Sequence, residues 1–411
     1  FVAAYIPQGQ TTYTPITTRL QVSPITNKSA TQGTADSGGT YTRNAEGDYT
    51  YVFRTTVPSG FDMSATLSVG MYATRDLSEF GLGSQSENAV FSLVPSGGPV
   101  KTVRDVVSTK TCNNCHNPLS AHGGRRKSVE LCILCHVPAG VDPDTGNSID
   151  MTEMVHKIHM GEHLPSVQAG KPYQIIGYQQ SVLDFSTVAF PDDIKRCEAC
   201  HKGATQSSIY LTKPSRRACG SCHDNVNFAT GEEHVDLPQV SDNLCSTCHI
   251  PEGELEFDAS IKGAHVNGSF SQQLPGTTLK ILKVENGSRG QKPTVTFTVK
   301  DKQGNVLEAA TMDLLNLILA GPTSDYSAYR SESARGASRV GDTYVYTLPN
   351  AIPEDAAGSY AIGIEGYKNT KLNPGTRKEI TVRDVGNNDI FYFSVVGGTA
   401  SPRRKVVSQD K

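Results

Sequence analysis

Cys112-Asn-Asn-Cys115-His116, Cys132-Ile-Leu-Cys135-His136, Cys197-Glu-Ala-Cys200-His201, Cys219-Gly-Ser-Cys222-His223 and Cys245-Ser-Thr-Cys248-His249 write one pattern five times into a single stretch of the chain. Cys-x-x-Cys-His is the attachment signature of c-type haem: two thiols form thioethers with the porphyrin vinyls, and the adjacent histidine reaches the iron. The five copies consume all ten cysteines. Zinc knuckles and a disulfide framework are the competing readings. Zinc ribbons need no histidine directly after the second cysteine, and a disulfide scaffold has no reason to repeat one three-residue offset five times. The pattern predicts five covalent haems, with His116, His136, His201, His223 and His249 as proximal ligands.

The histidines support this independently. All eleven fall between residues 116 and 265. Removing the five motif histidines leaves His122, His156, His159, His163, His234 and His265, enough for a second imidazole at every iron with one to spare. Asp150 with Glu153 resembles a capping pair for a helix over Met151–Met160. On it His156 and His159 stand at i and i+3, close on one face yet diverging enough to serve two neighbouring irons. Met151, Met154 and Met160 are read as core filling. His122 follows His116 too closely to pass round a porphyrin edge, so it is expected on a different iron. The predicted distal ligands are His122, His156, His159, His234 and His265, with His163 spare; the spacing leaves their pairing with individual irons open.

Each cofactor has only about thirty residues of its own, too few for a polypeptide core by the surface-to-volume argument. The porphyrins are therefore expected to supply much of the core, with short helices and long connections around them. Both flanks lack cysteine and histidine and read as strands. On the N-terminal side these are Thr40–Arg43, Tyr49–Thr55, Ala65–Thr74 and Ala89–Pro95. On the C-terminal side they are Thr277–Val284, Pro293–Val299, Val306–Ala309, Thr343–Leu348, Ser359–Tyr367, Glu379–Val382 and Ile390–Val396. The expected fold is multidomain: an N-terminally incomplete antiparallel β-sandwich (1–100), a pentahaem c-type cytochrome domain of short helices and loops (101–268), and a second β-sandwich (269–411).

The 411-residue chain has a formal net charge of −3, which points away from nucleic acid. Its longest apolar run, Leu314–Ala320, is interrupted by Asn316 and reads as a buried strand or short helix, far short of the ~18 residues a membrane span needs. Haem attachment to this motif takes place outside the bacterial cytoplasm, so export is expected. No signal peptide or lipid-accepting cysteine stands in the numbered sequence, so the expectation is that a leader has been removed or that the chain is not the whole gene product.

The flanks also resemble each other. Gly47-Asp48-Tyr49-Thr50-Tyr51-Val52 answers Gly341-Asp342-Thr343-Tyr344-Val345-Tyr346, and Tyr72 answers Tyr367. Phe91-Ser92-Leu93-Val94 answers Phe393-Ser394-Val395-Val396, and Arg104-Asp105-Val106-Val107-Ser108 answers Arg404-Lys405-Val406-Val407-Ser408. This is an internal repeat at an offset of roughly three hundred residues. Its register aligns Lys411 with Thr111, which predicts a chain truncated at both ends and a second haem unit beyond it.

In its five motifs, Leu119-Ser-Ala-His122-Gly-Gly, the His156-Lys-Ile-His159 pair and the loops carrying His234 and His265, the chain resembles the OmcA/MtrC-type outer-membrane decahaem cytochromes. The resemblance implies β-sandwich domains alternating with pentahaem domains and bis-histidine ligation. It also implies electron transfer at the extracellular face of the outer membrane, or as a secreted protein, to metal oxides, metal ions, flavins or other cytochromes, with a porin–cytochrome complex as a possible partner. A periplasmic location is the alternative. Only five motifs are present, and neither flank has the cysteine pair found in some members. Two other functions compete with electron conduction: a multihaem reductase with one open iron, and a subunit of a conducting filament. The reductase requires a missing distal ligand and nearby acid or base groups, whereas six candidates stand against five sites. Asp142-Pro-Asp144-Thr-Gly146 with Glu153 resembles a calcium loop, but its glycine falls one place early, and a solvated turn is the preferred reading.

Overall fold

The computed structural model describes residues 1–402 and 405–408, and the chain divides into two compact units, Phe1–His265 and Val266–Lys411. The first opens with β1 (Val2–Ile6), β2 (Thr14–Pro15), β3 (Thr18–Val22), β4 (Ser29–Gly33), β5 (Thr40–Ala45), β6 (Asp48–Val52), β7 (Thr66–Asp76) and β8 (Ser84–Leu93). These pair antiparallel as a four-stranded sheet, β2-β1-β7-β8, and two hairpins, β3-β4 and β5-β6. The period of two along β1 puts Val2, Ala4 and Ile6 on one face, where they pack against Val129, Leu131, Ile133, Leu134 and Val137. That face is thus covered by the second Cys-x-x-Cys-His segment. The approach is close enough to require glycine at position 70: a Cβ there would lie 2.5 Å from Leu131 Cδ1 and 2.8 Å from Leu134 Cδ1.

Beyond β8, regular structure is sparse, as a stretch built around cofactors requires. The helices are α1 (Thr109–Cys112), α2 (Val129–Cys132), α3 (Met151–Met160), α4 (Pro165–Gln168), α5 (Ile209–Thr212), α6 (Arg216–Gly220), α7 (Cys245–Cys248) and α8 (Ile261–Ala264), with a small hairpin of β9 (Gln174–Ile176) and β10 (Val182–Asp184). Only α3 reaches ten residues. Asp150 caps it by accepting from Thr152 N, while Glu153 turns to Arg217 instead of closing the box. Met154 and Met160 pack with Leu164, Tyr173 and Ile175, and Met151 packs under the N-terminal sheet, so the three thioethers fill apolar space.

The second unit contains β11 (Thr277–Glu285), β12 (Thr294–Lys300), β13 (Leu314–Gly321), β14 (Ala328–Ser333), β15 (Ser338–Val340), β16 (Thr343–Thr347), β17 (Ser359–Leu372), β18 (Ile380–Asn387) and β19 (Asp389–Ser394). Their order is β14-β13-β17-β18-β11-β12-β16-β15, and the first half of β17 pairs with β19. Alternating side chains from β11 and β12 (Leu279, Ile281, Val295, Phe297, Val299) meet those from β13 and β17 (Leu315, Leu317, Leu319, Ile362, Ile364) in one core. Full burial of each such side chain is worth roughly 1.5–3 kcal/mol. Pairing is antiparallel except for a short parallel contact, Thr277↔Gly386 and Thr278↔Asn387, that joins β11 to β18.

Leu314–Gly321 is a strand, which resolves the ambiguity of that apolar run. The strand expected at Val306–Ala309 does not form. Val306 makes a single bridge with Lys300, and the Ala309 amide donates to the Tyr344 hydroxyl at 3.3 Å, which commits it to a side chain and opens a 3-10 turn. The repeat is visible in the elements: Gly47-Asp48 leads into β6 as Gly341-Asp342 leads into β16, Tyr72 and Tyr367 lie on β7 and β17, and Phe91 and Phe393 lie on β8 and β19. Arg404 and Lys411, which carry the last match and its register, lie outside the described residues. Among those residues no helix is long and apolar enough to cross a membrane.

Candidate haem-iron sites

The five motifs share one local conformation. The amide of each motif histidine donates to the carbonyl of the first cysteine: His116 to Cys112 at 3.0 Å, His136 to Cys132 at 2.9 Å, His201 to Cys197 at 2.8 Å, His223 to Cys219 at 2.9 Å and His249 to Cys245 at 2.9 Å. This single helical turn sets the two cysteines and the histidine at fixed offsets, which is what attachment of one planar ring at three points requires. Three turns begin at a serine four residues before the first cysteine. Ser108, Ser128 and Ser215 accept from the amides of Thr111, Leu131 and Ala218, satisfying donors that a helix start leaves free. Ser241 and Asp193 occupy the same place before the other two motifs. This capping position is a signal that attention to the cysteines alone passes over.

The histidines pair one to one. Ring centroids are separated by 6.2 Å for His116 and His159, 5.8 Å for His136 and His122, 6.1 Å for His201 and His156, 6.3 Å for His223 and His265, and 6.1 Å for His249 and His234. Two imidazoles sharing a metal at nitrogen distances of about 2.0 Å, each centroid lying a further ~1.1 Å behind its nitrogen, have centroids about 6.2 Å apart. All five separations fall near that value. His163 joins no such pair; its side chain is 54 % exposed and lies 3.6 Å from Glu162.

Local backbone explains how each ring reaches its partner. His122 has φ +52°, followed by Gly123 at +69° and Gly124 at +82°, and this left-handed run turns it to His136. His156 and His159 leave α3 toward different partners. Five rings donate Nδ1–H to a backbone carbonyl: His136 to Ile149 at 2.7 Å, His159 to Val155 at 2.9 Å, His234 to Leu237 at 2.8 Å, His249 to Ala259 at 2.9 Å and His265 to Ile261 at 2.7 Å. Because a carbonyl only accepts, these bonds fix the tautomer and leave the Nε2 lone pair for a metal. Burial lowers the pKa of His122 and His156 to about 4 and lowers those of His136, His159, His201 and His223 as well. Those imidazoles are neutral at pH 7, the form that binds iron.

No two of the ten cysteines are joined as a disulfide. Burial pushes Cys132, Cys135, Cys197 and Cys222 up to about 11. Among the described residues no three His, Cys, Asp or Glu side chains converge as a ligand set, whereas a structural zinc site needs four. The Asp142 loop is not the solvated turn expected. Asp142 is 2 % exposed, and its carboxylate accepts from Asp144 N, Thr145 Oγ1 and Ile176 N at 3.0, 2.7 and 2.9 Å. Glu153 turns toward Arg217, with 3.8 Å between Oε2 and the guanidinium.

Repeated thioether-type turns and paired imidazoles define a multihaem c-type cytochrome. Residues 104–262 match the family model for outer membrane cytochrome MtrC/MtrF-like domains II/IV. A curated relative, the multiheme cytochrome MtrC of Shewanella baltica (strain OS185), is 24 % identical over 314 residues, which cover 74 % of this chain and 43 % of the relative. The chain therefore spans less than half the length of that protein. The crystal structure of the outer membrane decaheme cytochrome OmcA superposes with a TM-score of 0.69 at 20 % identity, covering 99 % of this chain and 68 % of that one. The crystal structure of MtrC from Shewanella baltica OS185 gives a TM-score of 0.63 at 19 % identity, covering 98 % and 65 %. Residues 104–262 are thus similar to the haem domains of these outer-membrane cytochromes, and the chain shares the fold of OmcA and MtrC.

Proposed function

We propose that the chain carries five covalent haems and conducts electrons at the outer face of the outer membrane, or as a secreted protein, without transforming a substrate. Cys112 and Cys115, Cys132 and Cys135, Cys197 and Cys200, Cys219 and Cys222, and Cys245 and Cys248 would hold the porphyrins. The irons would lie between His116 and His159, His136 and His122, His201 and His156, His223 and His265, and His249 and His234. The observation that carries this reading is the one-to-one pairing of ten imidazoles at the spacing of a shared metal. Haem bound in this way supplies a one-electron couple whose ligands need not change as its charge changes.

The residues do the rest. A pair of imidazoles at each iron would leave no place there for water or a small substrate, which works against a reductase with an open site. The carbonyl acceptors hold five of the ten rings, which limits the reorganisation that would accompany a change of charge. Neighbouring motifs are also in contact: Thr109 Oγ1 donates to Glu130 Oε2 at 2.8 Å, Thr111 Oγ1 to the Lys202 carbonyl at 3.3 Å, Lys157 beside His156 to Asp224 beside His223 at 2.8 Å, and Arg216 Nε to Asp242 Oδ1 at 2.7 Å. These proximities support a continuous row of sites in the order of motifs two, one, three, four and five, with the His122 and His234 sites at its ends.

Within this reading residues 101–268 form the haem domain, and 1–100 and 269–411 are β modules that dock or space it. Metal oxides, soluble metal ions, flavins and other cytochromes, including a porin–cytochrome complex, are the proposed partners. The test is film voltammetry with stoichiometric oxidation by a soluble ferric chelate. The reading expects five electrons per chain and no catalytic wave with nitrite or hydroxylamine. Catalytic turnover of either, or fewer electrons, would overturn it.

A further inference from the structure

The buried charges of the haem stretch converge on α3. Lys157, between His156 and His159, places Nζ 2.8 Å from Asp224 Oδ2, and the two side chains are only 14 % and 7 % exposed. Asp224 directly follows His223, and its carboxylate also accepts from Ser166 N at 3.0 Å and Ser166 Oγ at 2.6 Å. At the start of α3, Arg217 of α6 donates to Asp150 Oδ2 at 3.1 Å and lies 3.8 Å from Glu153 Oε2. Thus both ends of the helix that bears two distal histidines are tied to the segment that bears the fourth motif.

A buried ion pair is a poor source of stability, because desolvation offsets much of the attraction, but it is strongly selective for one geometry. Here the geometry is fully specified, since Ser166 occupies the lone pairs of Asp224 that Lys157 leaves open. An apolar contact would let α3 slide or rotate at little cost. This contact does not, because any movement of Lys157 leaves a charge unpaired away from water. His156 and His159 flank Lys157 on the same helix, so both ligands move with it.

We propose that Lys157 and Asp224, backed by Arg217 with Asp150, are positioning residues that dock α3 on the fourth motif. They hold the His116/His159, His201/His156 and His223/His265 sites at one fixed spacing. The inference rests on the bis-histidine reading above and adds to it a group of three sites that moves as one body.

The test is made on the holoprotein with Asp224→Asn, read by electron paramagnetic resonance of the ferric state and by site potentials. His156→Ala and His159→Ala supply reference signals for the two sites served by α3. Asp224→Asn is expected to produce high-spin signal matching those references, with loss of low-spin signal at those two sites and none at the His122 and His234 sites. Lys157→Arg, which keeps the charge, is expected to retain the low-spin spectrum. Arg217→Met, at a side chain 40 % exposed, is the milder second variant if Asp224→Asn does not accumulate; a smaller loss at the same two sites is expected. Wild-type spectra and potentials in the variants, or high-spin signal spread over all five sites, would overturn the clamp. High-spin iron in the unmutated protein would instead count against bis-histidine ligation itself.

Discussion

Leu134→Ala separates the structural work of the second motif from its haem chemistry. Leu134 is the second variable residue of Cys132-Ile-Leu-Cys135 and is 1 % exposed, packed with Val2, Ala4 and Ile6 of the N-terminal sheet. Replacing a fully buried leucine by alanine costs about 2–5 kcal/mol, the upper part arising where the surroundings cannot collapse into the cavity. Collapse is restricted here because β7 already approaches as far as Gly70 allows, so we expect about 3 kcal/mol. For a unit of this size each kcal/mol lowers Tm by ~2–4 °C, giving a fall of roughly 6–12 °C. The assay is thermal unfolding of the holoprotein followed by far-ultraviolet circular dichroism. Asn114→Ala is the control, because Asn114 holds the same motif position in an exposed turn, where such a change costs less than about 0.5 kcal/mol. Equal effects of the two substitutions would refute the packing of the second motif beneath the sheet.

His265→Ala is expected to convert one iron, that of His223, to high spin and to let it bind carbon monoxide when reduced, as read by absorption difference spectra. His163→Ala should leave that spectrum unchanged. Phe297→Ala removes a fully buried ring stacked near Tyr344 and should cost about 3–5 kcal/mol in a denaturant melt with no change in the haem bands. Asp36 gives a pH dependence. Burial alone would raise its pKa, but hydrogen bonds from Thr55, the Arg54 amide and Tyr51 outweigh that and hold it well below the usual carboxylate range. A depressed folded pKa contributes stability that is full above about pH 4 and lost as pH falls below it. Hydrogen-exchange protection in β5 and β6 should therefore weaken below about pH 4, and Asp36→Asn should be weak at every pH.

What was legible in the sequence is what chemistry confines to short spacings. Haem attachment needs two thiols and an imidazole within one turn, so the five motifs could be read directly, and Asp150 announced α3 because a cap acts on the very next residues. The partners of the histidines could not be read, because His116 meets His159 and His201 meets His156 only after intervening loops have folded. His122 shows the limit: the shortness of its connection ruled out His116, but only the left-handed turn through Gly123 and Gly124 directs it to His136. The strand Val2–Ile6 is brief and alanine-rich, and its partner face lay inside a motif, where Ile133 and Leu134 stand in place of the polar residues of the first motif. Val306–Ala309 follows a turn and opens on two apolar residues, as a short strand would, yet the Tyr344 hydroxyl takes the Ala309 amide such a strand would need.

The central claim is most directly tested by counting haems and their spin states together: pyridine haemochrome absorbance per chain, with near-infrared magnetic circular dichroism of the ferric protein. The account predicts five c-type haems per chain, every one low-spin with two nitrogen ligands. Fewer than five, a high-spin band, or a band from sulfur ligation by methionine would contradict it.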